Sequence, residues 1–298
     1  MIKIDVPATS ANLGSGFDSL GIALSLYNTI LMEESDCVDI ASLDSVKVPL
    51  DEENLVYSTA KRLYDICGKQ FLGLKLRQSN AIPMARGLGS SSACLVSGLI
   101  GANTLLKSPL NKEDIINLAA ALEGHPDNTT PALLGGLVTC AMSEGKVYSV
   151  SVPVDSHVRF AAMIPSDPLP TSHARSVLPQ NVSRDDAVFN LSRAALMTSS
   201  LFSGSLENLK VATDDRLHQP YRMGLIKGSA SAFRVARDLG AYGVYISGAG
   251  STIMAIIDES NTAFELDCAT QLKKSGIFDW TVQILHADSV GATVTELI

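Results

Sequence analysis

One glycine- and serine-rich segment limits the possible folds more than any other feature of the chain. It runs from Pro83 to Cys94 and reads PMARGLGSSSAC. The alternating segment Phe71–Gln78 precedes it and predicts a strand, whereas the apolar run Ser91–Leu106 follows it and predicts a buried helix. Gly87 and Gly89 allow backbone geometry that is closed to other residues and let a ligand approach closely. This order of strand, glycine turn and helix start predicts a loop that binds an anion.

The first turn of the helix would bind that anion. A helix N-terminus presents unpaired backbone N–H groups and the positive end of the helix dipole, which suits a polyphosphate. The alternative is a plain serine cap after a tight turn, but a cap needs one serine, and here three serines follow two glycines. The segment is not a Walker A loop, because no G-K-[ST] follows, and it lacks the third glycine of a dinucleotide fingerprint. We therefore favour an anion site.

Three further polar segments lie between predicted elements. Pro7–Gly21 joins two strands and is longer than a hairpin needs, so turn structure and a binding site are equally consistent with it. Ser247–Thr252 separates two strands and, taken alone, is typical of a hairpin turn. Glu123–Asn128 ends a helix, where Glu123 could bind Mg²⁺ and His125 a polar substrate. A plain polar loop is the default interpretation of this last segment.

The composition excludes several classes of function. The formal net charge is −8 and no lysine–arginine cluster is present, which argues against nucleic-acid binding. The five cysteines are scattered without a C-x-x-C pair, so we expect neither a disulfide framework nor a zinc site, and a cytoplasmic location fits. The chain starts without an apolar signal core, and the run Ala93–Leu106 is too short for a membrane span of about 20 residues. No membrane association is expected.

The order of predicted elements indicates an α+β fold in two parts. The first part mixes strands and helices. A proline-bearing stretch near Pro153 is the predicted boundary, which gives an N-terminal domain of residues 1–155 and a C-terminal domain of residues 156–298. In the second part, strands and helices alternate in a way that suggests an antiparallel sheet covered by helices on one face. One of these helices is predicted over Leu225–Leu239.

Together the polar segments resemble the three signature motifs of the GHMP kinases, a family of ATP-dependent small-molecule kinases. Pro7–Gly21 resembles the first motif, Pro83–Ala93 the second and Ile246–Thr252 the third, so the likeness covers nearly the whole chain. Within this family, the N-L-G-x-G-F-D run of Asn12–Asp18 and the H-x-D-N-x-x-P element that begins at His125 resemble the homoserine kinase branch.

Two arginine-bearing segments strengthen the likeness to that branch. Thr171–Pro179 resembles its T-x-x-A-R-x-x-L-P stretch, and Pro220–Arg222 resembles its second arginine element. The third motif departs from the pattern, because it reads G-A-G-S from Gly248 where many relatives have G-S-G-P. The N-x-I/L-G-E-H type of motif that is typical of galactokinases and mevalonate kinases is absent from the sequence.

The resemblance implies a fold and a reaction. The fold would be a ribosomal-protein-S5-like N-terminal domain joined to a ferredoxin-like C-terminal domain, and ATP and substrate would meet in the cleft between them. The reaction would be transfer of the γ-phosphoryl group of ATP to the side-chain hydroxyl of L-homoserine, a step toward threonine. Mg²⁺ would be the metal.

The resemblance also implies the residues of the site. Ser91 and Glu123 would hold Mg²⁺ and, with Asp18, would form the reaction centre. The implied ATP contacts are Pro83, Met84, Ala85, Arg86, Gly87, Leu88, Gly89, Ser90, Ser91, Ser92 and Ala93, together with Asn54 and Val56 along the adenine. The implied substrate contacts are Asn12, Asp18, His125, Asn128, Arg175, Arg222 and Gly248. Among these, the two arginines would clamp the carboxylate, because a planar guanidinium can bind it through two N–H groups.

We expect no strong side-chain base in this mechanism. Phosphoryl transfer depends mainly on positioning and on neutralisation of charge. Asp18 is the nearest candidate base, and it is interpreted first as a ligand of the substrate ammonium group. Two alternatives stay open: another GHMP kinase acting on a mevalonate-like, diphosphocytidyl or sugar alcohol, and a relative that binds a ligand without catalysis. A homodimer is compatible with the sequence.

Overall fold

The computed structural model describes residues 1–297, which form two β-sheets with helices packed against them. The strands, in chain order, are β1 Ile2–Ala11, β2 Leu20–Glu34, β3 Asp39–Ser42, β4 Leu74–Asn80, β5 Leu137–Ser143, β6 Lys146–Val152, β7 Val158–Ile164, β8 Gly243–Ile246, β9 Ile253–Asp258, β10 Thr281–Leu285 and β11 Thr293–Glu296. The helices are α1 Leu55–Ile66, α2 Ser90–Leu105, α3 Lys112–Glu123, α4 Thr129–Leu134, α5 Thr171–Ser176, α6 Arg184–Ser203, α7 Leu209–Ala212, α8 Gln219–Arg222, α9 Ser229–Asp238 and α10 Phe264–Lys274.

The first sheet has seven strands, five of which follow the order β11-β1-β2-β4-β3. β5 pairs with the start of β2, and β6 pairs with β5. The β3–β4 pairing is parallel, whereas the other pairings in this sheet are antiparallel. Buried and partly exposed residues alternate along β4, which is the period-two pattern of a strand with one face on the core. This sheet supplies the β1–β2 loop that reaches the candidate site.

Four helices pack near the first sheet, and α2 is the most buried of them. Most of its residues are buried, because it is apolar around most of its circumference and lies between α1 and strands β1 and β2. α1 begins at Asn54, whose side chain accepts the N–H groups of Val56 and Tyr57. α3 begins with a capping box between Asn111 and Asp114. Within residues 1–297, none of the helices is long and apolar enough to cross a lipid bilayer.

The second sheet is antiparallel and has the order β10-β7-β9-β8. Residues on one face, such as Ala161 and Ile253, share a core with α9 and α10. Residues on the opposite face, such as Phe160 and Met254, belong to the larger core that also contains the first sheet. Both faces of this sheet are therefore covered. The sequence predicted the helices on one face but not the packing of the other face in the core that contains the first sheet.

The predicted elements differ from the structure at three main points. The helix predicted over Leu225–Leu239 begins only at Ser229, because Gly228, with a φ of +89°, precedes it. The short strand β3 was not predicted. The last strand, β11, was not predicted either, and it pairs with β1 in the first sheet. The division into domains at residue 155 stays a prediction. Strand β11 belongs by sequence to the predicted C-terminal domain, but it pairs with β1 in the sheet of the N-terminal part.

Candidate active site

A cleft of about 200 Å³ lies where loops and helices from both parts of the chain meet. Its wall comes from the β1–β2 loop, the loop before α2, the α3–α4 turn, α5, α8 and the β8–β9 loop. The lining residues are Asn12, Asp18, Ala85, Arg86, Gly87, Gly89, Ser90, Ser91, Ser92, Glu123, His125, Asp127, Asn128, Thr171, Arg175, Arg222, Gly248 and Ala249. The polar segments singled out in the sequence therefore converge on one cleft.

The loop before α2 forms one wall of the cleft. Gly87 and Gly89 have φ values of +74° and +71°. A Cβ atom at Gly87 would lie 2.1 Å from the carbonyl oxygen of Ser247, and one at Gly89 would lie 2.0 Å from the hydroxyl of Thr9. Glycine is required at both positions because the backbone has a positive φ and because protein atoms fill the space that a side chain would need. From the sequence, the glycines had instead been explained by the close approach of a ligand.

The first turn of α2 presents backbone donors on the same wall. The first bond inside the helix runs from the N–H of Ala93 to the carbonyl of Gly89. The N–H groups of the three serines before Ala93 have no partner within the helix. This N-terminus therefore offers hydrogen-bond donors and the positive end of the helix dipole to an anion.

Glu123, the last residue of α3, faces this helix start. Its Oε1 accepts a hydrogen bond of 2.9 Å from the hydroxyl of Ser92. The sequence had paired Glu123 with Ser91, which lines the same wall but makes no such bond. A carboxylate and serine hydroxyls are hard oxygen ligands, so the donors present here fit Mg²⁺. The role of Ser91 stays a prediction, and Ser92 is the serine that contacts the carboxylate. We call Gly87–Ser92 with Glu123 the phosphate wall.

Asp18 and Arg175 form an ion pair in another wall. The two carboxylate oxygens of Asp18 accept hydrogen bonds from the guanidinium of Arg175 at 2.7 and 3.1 Å. Burial, the largest single effect, lowers the pKa of Arg175, but the hydrogen bond to Asp18 and the nearby negative charges together outweigh burial, so the pKa is raised overall. The sequence had assigned these two charges to opposite groups of a substrate. In the structure they bind each other, so a substrate would use their remaining lone pairs and N–H groups.

Arg222, at the end of α8, is a buried cation with 1% of its surface exposed. Its Nε donates to the carbonyl of Ala174, and its Nη1 lies 3.1 Å from both the Gly248 carbonyl and His218 Nδ1. No carboxylate oxygen of residues 1–297 lies within 4.0 Å of its guanidinium. Burial, reinforced by the nearby Arg175 cation, lowers its pKa to about 10. A buried guanidinium that lines a cleft without an anionic partner is suited to bind an anionic ligand.

His125 and Asp127 form a hydrogen-bonded pair that also lines the cleft. His125 Nδ1 lies 2.5 Å from the carboxylate of Asp127. Burial, the largest single effect, lowers the pKa of His125, but the hydrogen bond to Asp127 and the negative charges of Asp127 and Asp18 together outweigh burial, so the pKa is raised. Asp18, His125 and Asp127 offer ligand atoms that lie within 4.8 Å of one another. Asp127 was not among the predicted site residues, although the H-x-D-N element contains it. We call Asp18, Asp127, Arg175 and Arg222 the charged wall.

Two predicted substrate contacts, Asn12 and Asn128, hold parts of the protein together. Asn12 Nδ2 donates to the Gly248 carbonyl at 2.9 Å, and its Oδ1 accepts the N–H of Asp18 at 3.0 Å. Asn128 Oδ1 accepts the hydroxyl of Thr9 at 2.8 Å. The bonds of Asn12 connect the β1–β2 loop with the β8–β9 loop, and the bond of Asn128 connects strand β1 with the α3–α4 turn. Both residues line the cleft, and their contacts with a substrate stay predictions.

Some predicted ATP contacts do not line this cleft. Within the loop before α2 these are Pro83, Met84, Leu88 and Ala93. Asn54 caps α1 with its side chain, and Val56 is buried in the core, so the fold occupies both side chains. A contact of their backbone with adenine stays a prediction. The sequence also did not identify Thr171, which lines the cleft from the start of α5.

Comparisons with known proteins show the family to which the chain belongs. The GHMP kinases N terminal domain matches residues 54–136, and the GHMP kinases C terminal domain matches residues 197–267. A homoserine kinase of Caldicellulosiruptor bescii is 43% identical over 297 residues, with 99% of this chain and 97% of the relative covered. A homoserine kinase of Clostridium beijerinckii is 42% identical, with 99% of both chains covered.

Solved structures give the same result for the fold. The crystal structure of homoserine kinase from Cytophaga hutchinsonii has a TM-score of 0.87 and 28% identity, and the match covers 99% of this chain and 97% of that one. L. major mevalonate kinase, at 15% identity, has a TM-score of 0.73 over 97% of each chain and supports the fold alone. The fold is the two-domain GHMP kinase fold of the α+β class. The chain belongs to the GHMP kinase family, and within that family to the homoserine kinases.

Proposed function

We propose that this protein transfers the γ-phosphoryl group of ATP to the side-chain hydroxyl of L-homoserine, which yields O-phospho-L-homoserine and ADP. The observation that carries this proposal is Arg222, a buried guanidinium in the cleft with no carboxylate partner among residues 1–297. A free amino acid supplies the missing carboxylate, whereas a sugar supplies none. The neighbouring carboxylates of Asp18 and Asp127 suit the ammonium group of the same substrate.

The phosphate wall is suited to ATP and Mg²⁺. The unpaired N–H groups at the start of α2 would bind phosphate oxygens, and Ser91, Ser92 and Glu123 are the residues that would hold the metal. Bound Mg²⁺ would neutralise part of the phosphate charge. The protein itself contributes fixed donors that need no rearrangement when charge develops on the phosphoryl group.

The charged wall orients the acceptor. Arg222 and Arg175 bind the carboxylate of homoserine, while Asp18 and Asp127 bind its ammonium group. Two charged contacts fix the amino acid backbone, so the side-chain hydroxyl has few orientations left, and this lowers the entropic part of the barrier. The hydroxyl oxygen forms the new bond to phosphorus as the bond to the ADP oxygen breaks, and the hydroxyl proton passes to an oxygen of the transferred phosphoryl group.

The carboxylates of the cleft are poorly placed to act as a strong base. Both oxygens of Asp18 accept hydrogen bonds from Arg175, and an oxygen of Glu123 accepts one from Ser92. Positioning and charge neutralisation then carry the reaction, which is consistent with the small demand of phosphoryl transfer for proton abstraction.

The experiment is product identification. Purified protein is incubated with ATP, Mg²⁺ and L-homoserine, and the products are analysed by ³¹P NMR and mass spectrometry. We expect O-phospho-L-homoserine and ADP in equal amounts, and no phosphoryl transfer when Mg²⁺ is chelated. ATP hydrolysis to free phosphate without phosphohomoserine contradicts the proposal.

A further inference from the structure

Arg222 is in contact with a histidine that has no direct part in the proposed reaction. His218 is the residue immediately before α8, and its side chain is fully buried. Its ring stacks on Phe17 with the centroids 5.2 Å apart. Its Nδ1 lies 3.1 Å from Arg222 Nη1, and its Nε2 lies 2.7 Å from the carbonyl oxygen of Gly14. Both ring nitrogens are therefore engaged inside the protein.

These two partners determine the tautomer of the ring. A carbonyl oxygen can only accept a hydrogen bond, so Nε2 must carry the proton that it donates to Gly14. The guanidinium of Arg222 can only donate, so Nδ1 must present its lone pair. A protonated ring would place an N–H group against the N–H of Arg222. Burial lowers the pKa of His218, and this outweighs the opposing effect of Asp215, so the ring is neutral.

The bond to His218 also determines which donors of Arg222 stay available. Nε is used by the Ala174 carbonyl, and Nη1 is shared between the Gly248 carbonyl and His218. Nη2 has no hydrogen-bond partner among residues 1–297. A guanidinium is planar, so three fixed contacts on Nε and Nη1 set the direction of both N–H groups of Nη2.

We propose that His218, as the neutral Nε2–H tautomer, is a positioning residue that orients the Arg222 guanidinium toward the carboxylate of the substrate. This inference rests on the proposed function, in which Arg222 binds that carboxylate. In this proposal His218 does not contact the substrate, but it affects the affinity for the amino acid through Arg222.

Two substitutions separate the two hydrogen bonds of the ring. In His218→Gln the longer side chain can carry its amide nitrogen to the position of Nε2 and keep the bond to Gly14, but the acceptor for Arg222 is lost. In His218→Asn the amide oxygen can take the position of Nδ1, so the acceptor is kept and the bond to Gly14 is lost. His157→Gln, at an exposed histidine next to Asp155 and Glu259, is the matched control.

The test is steady-state kinetics of the four proteins with L-homoserine and with 3-aminopropan-1-ol, which has the same hydroxyl and amine but no carboxylate. We expect His218→Gln to raise the KM for L-homoserine at least about tenfold, with kcat and the KM for ATP changed less than about twofold. Its kcat/KM for 3-aminopropan-1-ol should match that of wild type. His218→Asn should recover most of the affinity for L-homoserine, and His157→Gln should equal wild type.

The outcomes separate this inference from the proposed function. If wild type phosphorylates L-homoserine but His218→Gln and His218→Asn have equal KM values for it, or if His218→Gln weakens both substrates alike, His218 is a packing residue and the inference is wrong. If thermal melting shows that His218→Gln does not fold, His218→Asn decides alone, because a KM for L-homoserine more than about threefold above wild type contradicts an acceptor role. A wild type that does not phosphorylate L-homoserine overturns the proposed function instead.

Discussion

The phosphate wall comes almost entirely from one continuous stretch of chain, whereas the charged wall is assembled from four separate segments. In the phosphate wall, backbone N–H groups at the start of α2 are the main donors, and Glu123 is added from α3. In the charged wall, the β1–β2 loop, the α3–α4 turn, α5 and α8 each contribute one charged side chain. A site made of backbone depends on local glycine geometry, while a site made of side chains depends on the residues that hold them.

Replacement of Glu123 tests the phosphate wall with the largest expected effect. Glu123→Gln removes the negative charge from this wall and keeps the size of the side chain, so we expect turnover to fall at least about 100-fold. Circular dichroism and melting should show that the fold is kept. Glu144→Gln, in the exposed β5–β6 turn, is the control and should leave turnover unchanged. Near wild-type turnover of a folded Glu123→Gln protein would show that this carboxylate is not a metal ligand.

The two arginines of the charged wall should differ in their effect. Arg222 has no carboxylate partner, whereas Arg175 is held by Asp18, so Arg222→Ala should raise the KM for L-homoserine more than Arg175→Ala. A charge-assisted contact contributes roughly 1.5–3 kcal/mol, which predicts an increase of at least about tenfold for either variant. The KM for ATP should change much less, and lysine should rescue only in part.

Steady-state kinetics of the alanine and lysine variants provide this comparison. Equal effects of the two alanine variants on the KM for L-homoserine would contradict the difference that we draw between a free and a paired guanidinium. An unchanged KM for L-homoserine in both variants would show that neither arginine of the charged wall binds the substrate.

Gly89→Ala should weaken ATP binding by a smaller factor. An alanine at a φ of +71° costs roughly 1–2 kcal/mol, and its Cβ would lie 2.0 Å from the Thr9 hydroxyl, so the start of α2 must shift. We expect a loss of about tenfold in affinity for a non-hydrolysable ATP analogue by calorimetry. Gly145→Ala is the matched control, since Gly145 has a φ of +76° and open space around it. Unchanged affinity in Gly89→Ala would mean that the nucleotide phosphates bind elsewhere.

Asn54→Ala is expected to have the smallest effect on function. The side chain caps α1, and loss of such a cap costs about 1 kcal/mol of the free energy of unfolding. The KM for ATP should stay near that of wild type, because any contact of this segment with adenine would use the backbone. Chemical denaturation and ATP titration measure the two quantities separately. A large rise in the KM for ATP with unchanged stability would contradict the capping role and indicate a direct side-chain contact.

The two walls also differ in how far the sequence could predict them. The glycine and serine pattern of the phosphate wall predicted the order of strand, glycine turn and helix start that the structure has, because these elements are contiguous in the chain. The binding of an anion there stays a prediction. The resemblance implied Ser91 as the partner of Glu123 at the metal, and that role stays a prediction. The hydroxyl that reaches Glu123 is that of Ser92, because the rotation of α2 relative to α3 decides which serine faces the carboxylate. A similar limit applies to β11, whose pairing with β1 joins the two ends of the chain and has no local signal.

Three of the four residues of the charged wall, Asp18, Arg175 and Arg222, were predicted as site residues, but their geometry was not predicted. The ion pair between Asp18 and Arg175 joins residues that are 157 positions apart, and no spacing in the sequence indicates it. His218 was not identified at all, because a buried histidine in a polar segment has no sequence pattern of its own. The contacts that orient Asp18, Arg175 and His218 come from segments distant in the sequence, so only the folded structure shows them.

Substrate preference shows whether the cleft selects an amino acid alcohol. ADP release is measured in a coupled assay with saturating ATP and Mg²⁺, and kcat/KM is compared for L-homoserine, L-serine, mevalonate and galactose. We predict the highest kcat/KM for L-homoserine, because it alone combines the two charged groups with a hydroxyl at the right reach. A higher kcat/KM for mevalonate or galactose would contradict the account.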